Sequence, residues 1–382
     1  MRRYGQLWEQ MVSFENLYLA SRKARRGKRA RRVVERFEFD LEKHLTHLRE
    51  TLVEHRYRPG EFVSFKIRDP KPRLISAAPY VDRIVHHAVC NVLEPIFERS
   101  FIYDSYACRQ GKGTHAAVNR YQQFARRNQW VLKCDIRKFF PSVDHQILLP
   151  LLTRKIKDAE VLRLLQVIID HSNPQEVVPG FFPDDDLFTP LERRRGLPIG
   201  NQTSQFFANV MLDPLDHFVK ETLRCRCYVR YCDDFVILDD DPERLKELRN
   251  RIAQFLCTLR LWLHPNKRVI SRTQDGVRFL GYRVWPEQRK LPQANLHRFR
   301  RRLRWMQQQY AAGLIQPCDI RQRITAWLGH AQQADTWRLR TDVLSTTNFV
   351  GPAANVSCVA GRLLEQQRQE HPRGESEQQH PR

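Results

Sequence analysis

Three carboxylates stand where the sequence otherwise predicts buried strands. Asp233 and Asp234 are adjacent between the two apolar runs of YVRYCDDFVILDDD (Tyr228–Asp241), and Asp135 ends another apolar run within VLKCDI (Val131–Ile136). If these strands are neighbours, the three carboxylates meet at one end of a sheet. A divalent cation can neutralise such buried like charges, and hard oxygen ligands suit Mg²⁺. Two Mg²⁺ ions about 3.5–4 Å apart can activate an attacking hydroxyl and stabilise a leaving pyrophosphate.

A pair of aspartates in a hairpin can also be ordinary turn chemistry. We interpret the acids of Asp239–Asp241 and Asp184–Asp186 as solvated loop residues on that basis. The three strand acids differ because apolar residues flank them. Three cysteines lie close to the aspartate pair, but no second pair or His follows at zinc-site spacing, so we do not predict a thiolate site there. These cysteines are Cys225, Cys227 and Cys232.

Charge is the most informative bulk property. The 382 residues include 65 Lys and Arg against 43 Asp and Glu, a net charge of +22. This excess is larger than solubility requires and favours nucleic acid as partner, because neutralising phosphates releases counterions. The 41% hydrophobic content supports two or three subdomains that share a core. We expect a reducing cytoplasm, since the nine Cys form no disulfide framework and neither a signal peptide nor an apolar run of ~18 residues is apparent.

A strongly basic segment, SRKARRGKRARR (Ser21–Arg32), lies between two stretches whose apolar residues recur at helical spacing. A localisation signal is one interpretation of such a run. We prefer a connector that binds phosphates, because helices are predicted on both sides of it. Its candidate nucleic-acid-binding residues are Arg25, Arg26, Lys28 and Arg29.

The central elements follow the order strand, helix, helix, hairpin, helix, strand, where the last strand is Val277–Trp285. This order predicts an α+β fold with a small antiparallel sheet and helices on one face. Such a sheet would hold the three acids at one end.

YCDD (Tyr231–Asp234) resembles the Y-x-D-D box of reverse transcriptases, and KCDIRKFFPSVDH, which contains Asp135, resembles their first catalytic motif. Further segments follow the order of the family's other motifs. These are PKPRLISAAPYVDRIV, SYACRQGKGTHAAV, HPNKRVIS and VRFLGY, and the last two resemble the later palm motif with its Lys and the primer-grip hairpin. The resemblance extends over about residues 5–345, and collinear motifs are far more specific than any one alone.

The resemblance implies a right-hand polymerase fold with fingers, a palm built on a ferredoxin-like antiparallel sheet, and a helical thumb. We expect five segments on this basis. They are an N-terminal basic helical region (1–60), fingers (61–130), palm (131–290, with a fingers-like insertion at about 145–195), helical thumb (291–350) and a disordered polar tail (351–382).

The resemblance also implies the catalytic roles. Asp135, Asp233 and Asp234 would hold two Mg²⁺ ions, for which Mn²⁺ can substitute. The Ile136 carbonyl would be an additional ligand. Lys267 would protonate the pyrophosphate, and a merely exposed lysine is the alternative.

The incoming triphosphate would be contacted by Lys71 and Arg73, with Lys66 as a weaker candidate. Phe140 matches the residue that excludes a ribose 2′-hydroxyl, and a plain core phenylalanine is the alternative. Arg109 matches the family's fingers arginine near the template–nucleotide pair.

GLPIGNQTSQFFANV (Gly196–Val210) resembles the diversity-generating retroelement subgroup, as does FENLYLASRKARRGKR. Most reverse transcriptases carry Q-G-x-x-x-S-P at the former position, where the Gln and Gly contact the template–nucleotide pair. Here Ile199 replaces the Gln, Gly200 is retained and Gln205 replaces the Pro. An amide can penalise a misplaced pair through hydrogen bonds, whereas Ile can only pack, which predicts a loss of about 1–3 kcal/mol of discrimination.

Enzymes of this subgroup copy a template-repeat RNA with frequent errors at adenines, and the cDNA replaces a variable repeat (mutagenic retrohoming). The implied partners are the RNA template, the cDNA or primer strand, dNTPs and a small basic oligomeric accessory variability protein. No membrane partner is implied. The resemblance implies a bacterial cytoplasm as the location, and a gene carried by a bacterium or a phage. We favour the group II intron type less, because that type normally continues into a maturase region and an endonuclease, for which no residues remain. Two alternatives stay open: a reverse transcriptase with another role, such as phage defence or untemplated synthesis, and an inactive RNA-binding scaffold.

Overall fold

The chain divides into two compact units, Met1–Arg272 and Thr273–Arg382. Both combine helices with antiparallel sheets, which confirms the predicted mixture of helix and sheet. The five polymerase segments remain a prediction, and the expected disordered tail lies outside the described residues. The computed structural model describes residues 3–68, 72–172, 180–183 and 185–350.

Helices account for much of the first unit. In its described part they are α1 (Trp8–Val12), α2 (Phe14–Ala24), α3 (Arg32–Phe39), α4 (Leu41–Val53), α5 (Tyr80–Glu98), α6 (Thr114–Ala125), α7 (Phe139–Ser142), α8 (His145–Thr153), α9 (Ala159–Asp170), α10 (Thr189–Glu192), α11 (Gln202–His217) and α12 (Pro242–Thr258). Helix α5 packs against both α2 and α11. It buries Ile84, Val85, Ala88 and Val89, whose spacing of three to four residues forms one apolar face.

The strands of the first unit form two sheets. They are β1 (Val63–Ile67), β2 (Arg73–Ala77), β3 (Trp130–Asp135), β4 (Tyr228–Tyr231), β5 (Asp234–Asp239) and β6 (Val269–Arg272). β1 and β2 form a hairpin, and the other four strands pair antiparallel in the order β4–β5–β3–β6. Cross-strand pairs Leu132–Ile237 and Cys134–Phe235 belong to the main hydrophobic core. The predicted neighbourhood of β3 and the β4–β5 hairpin is therefore confirmed.

The second unit has its own sheet and core. Its described elements are β7 (Val277–Phe279), β8 (Tyr282–Val284), β9 (Arg289–Lys290), α13 (Gln293–Ala311), α14 (Pro317–Ala331) and α15 (Trp337–Ser345). The single strand predicted over Val277–Trp285 was wrong, because Leu280 and Gly281 take positive φ values and turn β7 back into β8. The hairpin that the resemblance implies for VRFLGY is therefore present, and the further strand that pairs with β3 is β6 instead. The core of this unit joins Phe299 and Met306 of α13 to Ile324 of α14. No helix in the described ranges of either unit is long and apolar enough to cross a bilayer.

Candidate active site

The antiparallel pairing of β3 with β5 brings the predicted acids together. Asp135, the last residue of β3, pairs with Asp234, the first residue of β5, and directly opposed residues project from the same face of a sheet. Asp233 immediately precedes Asp234, and its carbonyl accepts a hydrogen bond from the Ile136 amide at 3.1 Å. The acids therefore gather at one end of the four-stranded sheet.

A two-residue turn, Cys232–Asp233, joins β4 to β5, because Tyr231 pairs directly with Asp234. Cys232 has a φ of +57°, and two-residue hairpin turns favour such left-handed conformations. A residue with a Cβ adopts this conformation at a cost of about 1–2 kcal/mol. The surrounding contacts must therefore stabilise the turn.

Two lysines partly neutralise the acids. Lys267 Nζ lies 2.7 Å from Asp135 Oδ2, and Lys133 Nζ lies 3.5 Å from Asp234 Oδ2. Lys133 precedes Asp135 by two residues in β3 and so projects from the same face of the sheet. The two ammonium groups supply the positive charge that the apolar hairpin lacks.

This compensation is incomplete. Burial raises the pKa of Asp234 to about 6, with Lys133 acting against the rise and Asp135 adding to it. Burial, followed by repulsion from Asp135, also raises the pKa of Asp233, and Lys267 opposes that rise. Asp234 Oδ1 is buried and has no hydrogen-bond partner among the described residues. The site therefore lacks the positive charge needed to pair all its carboxylate oxygens.

The donor chemistry fits Mg²⁺, because the acids are hard oxygen ligands and one buried carboxylate oxygen is unpaired. Within the described ranges, however, no group of three or more His, Cys, Asp or Glu side chains surrounds a common metal position. Lys267 already contacts Asp135. Binding of two ions therefore requires a side-chain adjustment, and the ions remain a prediction.

A cleft of about 560 Å³ adjoins the acids. Its lining includes eight of the residues predicted to handle metal or nucleotide. These are Lys66, Arg73, Asp135, Ile136, Phe140, Ile199, Asp233 and Lys267. Cations and acids thus face one space, which suits a polyphosphate that carries divalent ions.

The two adjacent phenylalanines, Phe139 and Phe140, differ in burial. Phe139 is 2% exposed and belongs to the core, whereas Phe140 is only partly buried. Both line the cleft. Lys138 precedes them in the left-handed conformation, with a φ of +44°, and occupies the N-cap position of α7 without a side-chain capping hydrogen bond. The role of Phe140 as a sugar gate stays a prediction.

The segment that carries the subgroup resemblance lies only partly at the cleft. Ile199 lines it, and the Ile199 carbonyl accepts a hydrogen bond from the Ser76 amide at 3.0 Å. Gly200 has a φ of +119°, and a Cβ there would lie 3.0 Å from Ile75 Cγ2, so glycine suits the position. Gln205 is exposed on α11 and is not among the residues that line the cleft.

Arg109 does not line the cleft either. Its side chain is 5% exposed, and it donates hydrogen bonds to both carboxylate oxygens of Glu98 and to the carbonyls of Ile102 and Ser105. These contacts hold the loop that follows α5. A contact between Arg109 and the template pair stays a prediction, and Lys71 lies outside the described residues.

The predicted phosphate-binding connector joins α2 to α3. Arg26 and Arg29 are exposed, whereas Arg25 forms an ion pair with Glu38. Lys28 is half-buried, and its pKa is lowered by burial and by two neighbouring arginines. Among the described residues, Arg26, Lys28 and Arg29 form no ion pair with an acid. Binding of the four candidates to nucleic acid stays a prediction.

Sequence reasoning missed residues next to the acids. His264 lines the cleft, and its amide donates to the Asp135 carbonyl at 2.7 Å. Its position in HPNK, three residues before Lys267, was the available signal. For Lys133 the signal was the two-residue period of a strand that ends in Asp135.

One interpretation of the loop acids was wrong. The Asp185 side chain is 1% exposed and pairs with Arg193, whose side chain is 2% exposed. Asp186, Asp240 and Asp241 are exposed, as predicted, and Asp184 lies outside the described residues. Asp239 is instead the half-buried last residue of β5, and its Oδ2 lies 3.0 Å from Arg244 Nη1. Asp185 differs because a buried cation needs a carboxylate partner.

The sequence model of the family "Reverse transcriptase (RNA-dependent DNA polymerase)" matches residues 66–284. This match includes the end of β1, all of β2–β8 and therefore all four strands that carry or flank the acids. The chain therefore belongs to the reverse transcriptase family, the class of RNA-directed DNA polymerases, as its sequence predicted.

Its relatives give the relationship more detail. The chain is 26% identical to Protein YkfC of Escherichia coli over 277 residues, which cover 62% of this chain and 70% of that protein. It is 22% identical to the group II intron-encoded protein LtrA of Lactococcus lactis over 282 residues, which cover 57% of this chain and 45% of LtrA. Among solved structures, telomerase from Candida albicans is similar with a TM-score of 0.40 and 11% identity, over 65% of this chain and 51% of that chain. The chain thus spans less than half of the intron-encoded relative.

Proposed function

We propose that this protein is an RNA-directed DNA polymerase that makes error-prone cDNA from the template-repeat RNA of a diversity-generating retroelement. The observation that carries the polymerase part is the shared cleft, where Asp135 and Asp233 lie with Lys66 and Arg73. Membership of the reverse transcriptase family supports the same reaction class.

The three acids would hold two Mg²⁺ ions, with the Ile136 carbonyl as a further ligand and Mn²⁺ able to substitute. When bound, the ions would activate the attacking 3′-hydroxyl and stabilise charge on the leaving pyrophosphate. The unpaired Oδ1 of Asp234 and the raised pKa values of Asp233 and Asp234 support cation binding.

The cations of the cleft act on the nucleotide. Arg73 and Lys66 bind the triphosphate, together with Lys71. Lys267 pairs with Asp135 in the free protein. It leaves this partner when a nucleotide binds, and its Nζ then donates a proton to the pyrophosphate. Phe140 excludes the ribose 2′-hydroxyl.

Ile199 carries the proposal of low fidelity. It lines the same cleft as the nucleotide-binding residues, in the position where most of the family has a Gln. An aliphatic side chain offers no hydrogen bond to a nascent base pair. A mispair there therefore forfeits less binding free energy than it would beside an amide. We assign the diversity-generating subgroup on this residue and on Gln205.

The partners follow from the same proposal. The net charge of +22 supports binding of an RNA template and a cDNA or primer strand. A small basic accessory protein would join through RNA or an apolar contact, because two basic proteins repel each other. The reaction would take place in the cytoplasm of a bacterium that carries the element itself or on a phage.

A reverse transcriptase with another role is the second candidate. The similarity to a group II intron-encoded protein favours it. The two candidates differ in their products, because only the diversity-generating enzyme concentrates its errors at template adenines.

Primer extension on a defined RNA template tests the proposal. We expect Mg²⁺-dependent cDNA synthesis by the wild type and by Asp240→Asn, which alters an exposed acid, and none by Asp233→Asn. Equal synthesis by all three would refute the assignment of the acids. Sequencing the cDNA tests the subgroup: we expect errors at adenines that fall about tenfold in Ile199→Gln, and evenly spread errors would favour the second candidate.

A further inference from the structure

A fully buried arginine lies in β4, three residues before Asp233. The side chain of Arg230 is 0% exposed, and so is that of its partner Asp216 on α11. Arg230 Nε and Nη2 donate to Asp216 Oδ1 and Oδ2 at 2.7 and 2.6 Å, a bidentate pair. The Tyr228 hydroxyl also donates to Asp216 Oδ1, at 2.8 Å. Three hydrogen bonds thus fix the carboxylate that orients the guanidinium.

The remaining terminal nitrogen of Arg230 reaches the turn that carries the acids. Nη1 donates to the Cys232 carbonyl at 3.1 Å and to Asn209 Oδ1 at 3.3 Å. The Cys232 carbonyl belongs to the peptide group that links Cys232 to Asp233. A hydrogen bond to this carbonyl therefore restrains the plane from which the Asp233 side chain extends.

This restraint acts on a residue that needs one. Cys232 is in the left-handed conformation, and such residues persist only when the surrounding structure holds them. A relaxed turn would move Asp233 away from Asp135 and out of the cleft.

The backbone of Arg230 is fixed as well. Its amide donates to the Asp104 carbonyl at 3.0 Å, and its carbonyl accepts from the Tyr106 amide at 2.9 Å. Asn209 is anchored in turn, because its amide nitrogen donates to the Ala107 carbonyl at 2.9 Å. The guanidinium thus contacts the turn from a residue whose backbone and neighbours are themselves held by hydrogen bonds.

We propose that Arg230 is a positioning residue for the metal site: it holds the Cys232–Asp233 peptide so that Asp233 faces Asp135, and Asp216 orients Arg230 for this task. This inference rests on the proposed function, because the metal site serves that reaction. The quantity that it predicts is the affinity of the site for a divalent cation. A buried ion pair alone adds little net stability. The direct bond from Arg230 to the turn is what a purely structural pair would not need.

The test measures Mn²⁺ binding by electron paramagnetic resonance, together with the Mg²⁺ concentration that gives half-maximal primer extension. Arg230→Lys keeps the charge opposite Asp216 but cannot donate to Asp216 and to the Cys232 carbonyl in the same geometry. We expect Mn²⁺ to bind about tenfold more weakly and the Mg²⁺ requirement to rise by a similar factor.

Arg193→Lys is the matched control. Arg193 is also buried, and its partners are Asp144 and Asp185, which do not touch the turn. We expect this variant to lower the melting temperature and to leave Mn²⁺ affinity unchanged. A folded Arg230→Lys protein with wild-type affinity, or equal weakening in Arg193→Lys, would overturn the inference.

Tyr228→Phe decides the matter if Arg230→Lys does not fold. It removes one hydrogen bond to Asp216 and leaves every charge in place, so we expect Mn²⁺ affinity to fall about twofold, and an unchanged affinity would then overturn the inference. A wild-type protein that binds Mn²⁺ but extends no primer refutes only the proposed function. One that binds no Mn²⁺ refutes both.

Discussion

The β4–β5 hairpin carries two buried charge clusters that differ in how completely their charges are paired. Around Arg230, both carboxylate oxygens of Asp216 accept hydrogen bonds. The donors are the Tyr228 hydroxyl and two of the three guanidinium nitrogens of Arg230. At the turn, Asp234 has an unpaired oxygen and only a lysine at 3.5 Å. The same hairpin therefore holds one closed and one open cluster a few residues apart.

The difference lies in where the partners come from. Asp216 lies on α11, and this helix brings its carboxylate into bidentate contact with the fully buried Arg230. Two of the acids, Asp135 and Asp233, line the cleft together with Lys267, and this cleft is open to solvent. A closed cluster has a structural role, because each of its charges is paired within the protein. An open cluster is ready for a ligand, because binding relieves its desolvation and repulsion.

Removing an acid from the open cluster should have the largest effect. We expect Asp234→Asn to lower the rate of primer extension by at least about 1000-fold, because the amide is a poor cation ligand. Single-turnover incorporation measures the rate. An activity within a few-fold of that of Asp240→Asn would mean that the open cluster is not catalytic.

Removing the cation from the closed cluster should act on stability instead. We expect Arg230→Met to lower the free energy of unfolding by about 3–5 kcal/mol, because Asp216 is left buried and unpaired. Urea unfolding measures the change. The double variant Arg230→Met with Asp216→Leu should recover most of the loss, and a double variant as unstable as the single one would show that packing, not charge, matters there.

The open cluster should instead destabilise the metal-free protein at neutral pH. The pKa of Asp234 is raised from 3.8 to about 6, so the folded protein holds this proton more tightly than the unfolded chain. Protonation of Asp234 therefore favours the folded state. This contribution to the free energy of unfolding is lost as pH rises from about 4 to 6 and is absent at pH 7. We expect Asp234→Asn to exceed the wild type in unfolding free energy by up to about 3 kcal/mol at pH 7 and by little at pH 4.

Thermal melts at the two pH values, with divalent cations removed, measure this difference. Added Mg²⁺ should stabilise the wild type by mass action and narrow the gap between the two proteins. Parallel pH profiles of the wild type and Asp234→Asn would contradict the expected behaviour of the open cluster.

The smallest effect should come from a neutral member of the closed cluster. Tyr228→Phe removes one hydrogen bond to Asp216 and no charge, so we expect a loss of about 1–2 kcal/mol in unfolding free energy. Urea unfolding again measures it. A loss as large as that of Arg230→Met would show that the hydroxyl, and not the guanidinium, satisfies the buried carboxylate.

Much of the candidate site could be predicted because its residues differ in polarity or charge from the residues around them in the sequence. Asp135, Asp233 and Asp234 interrupt apolar strands, and Arg73, Phe140 and Ile199 stand at fixed distances from such motifs. Arg230 also interrupts an apolar strand, but the sequence alone does not separate a buried structural arginine from an exposed one. Asp185 was misjudged for the same reason, since its partner Arg193 had no distinguishing context.

The sequence by itself determined which residues could bind metal and phosphate, because chemical type and strand or helix period are local properties. It also determined the class of protein, through the collinear order of its motifs. Tertiary structure alone decided which charges are paired. Lys267 meets Asp135 across 132 positions of the chain, and Asp216 of α11 meets Arg230 of β4 through direct hydrogen bonds. Pairing depends on distances of a few ångströms between distant segments, and no local pattern in a sequence encodes them.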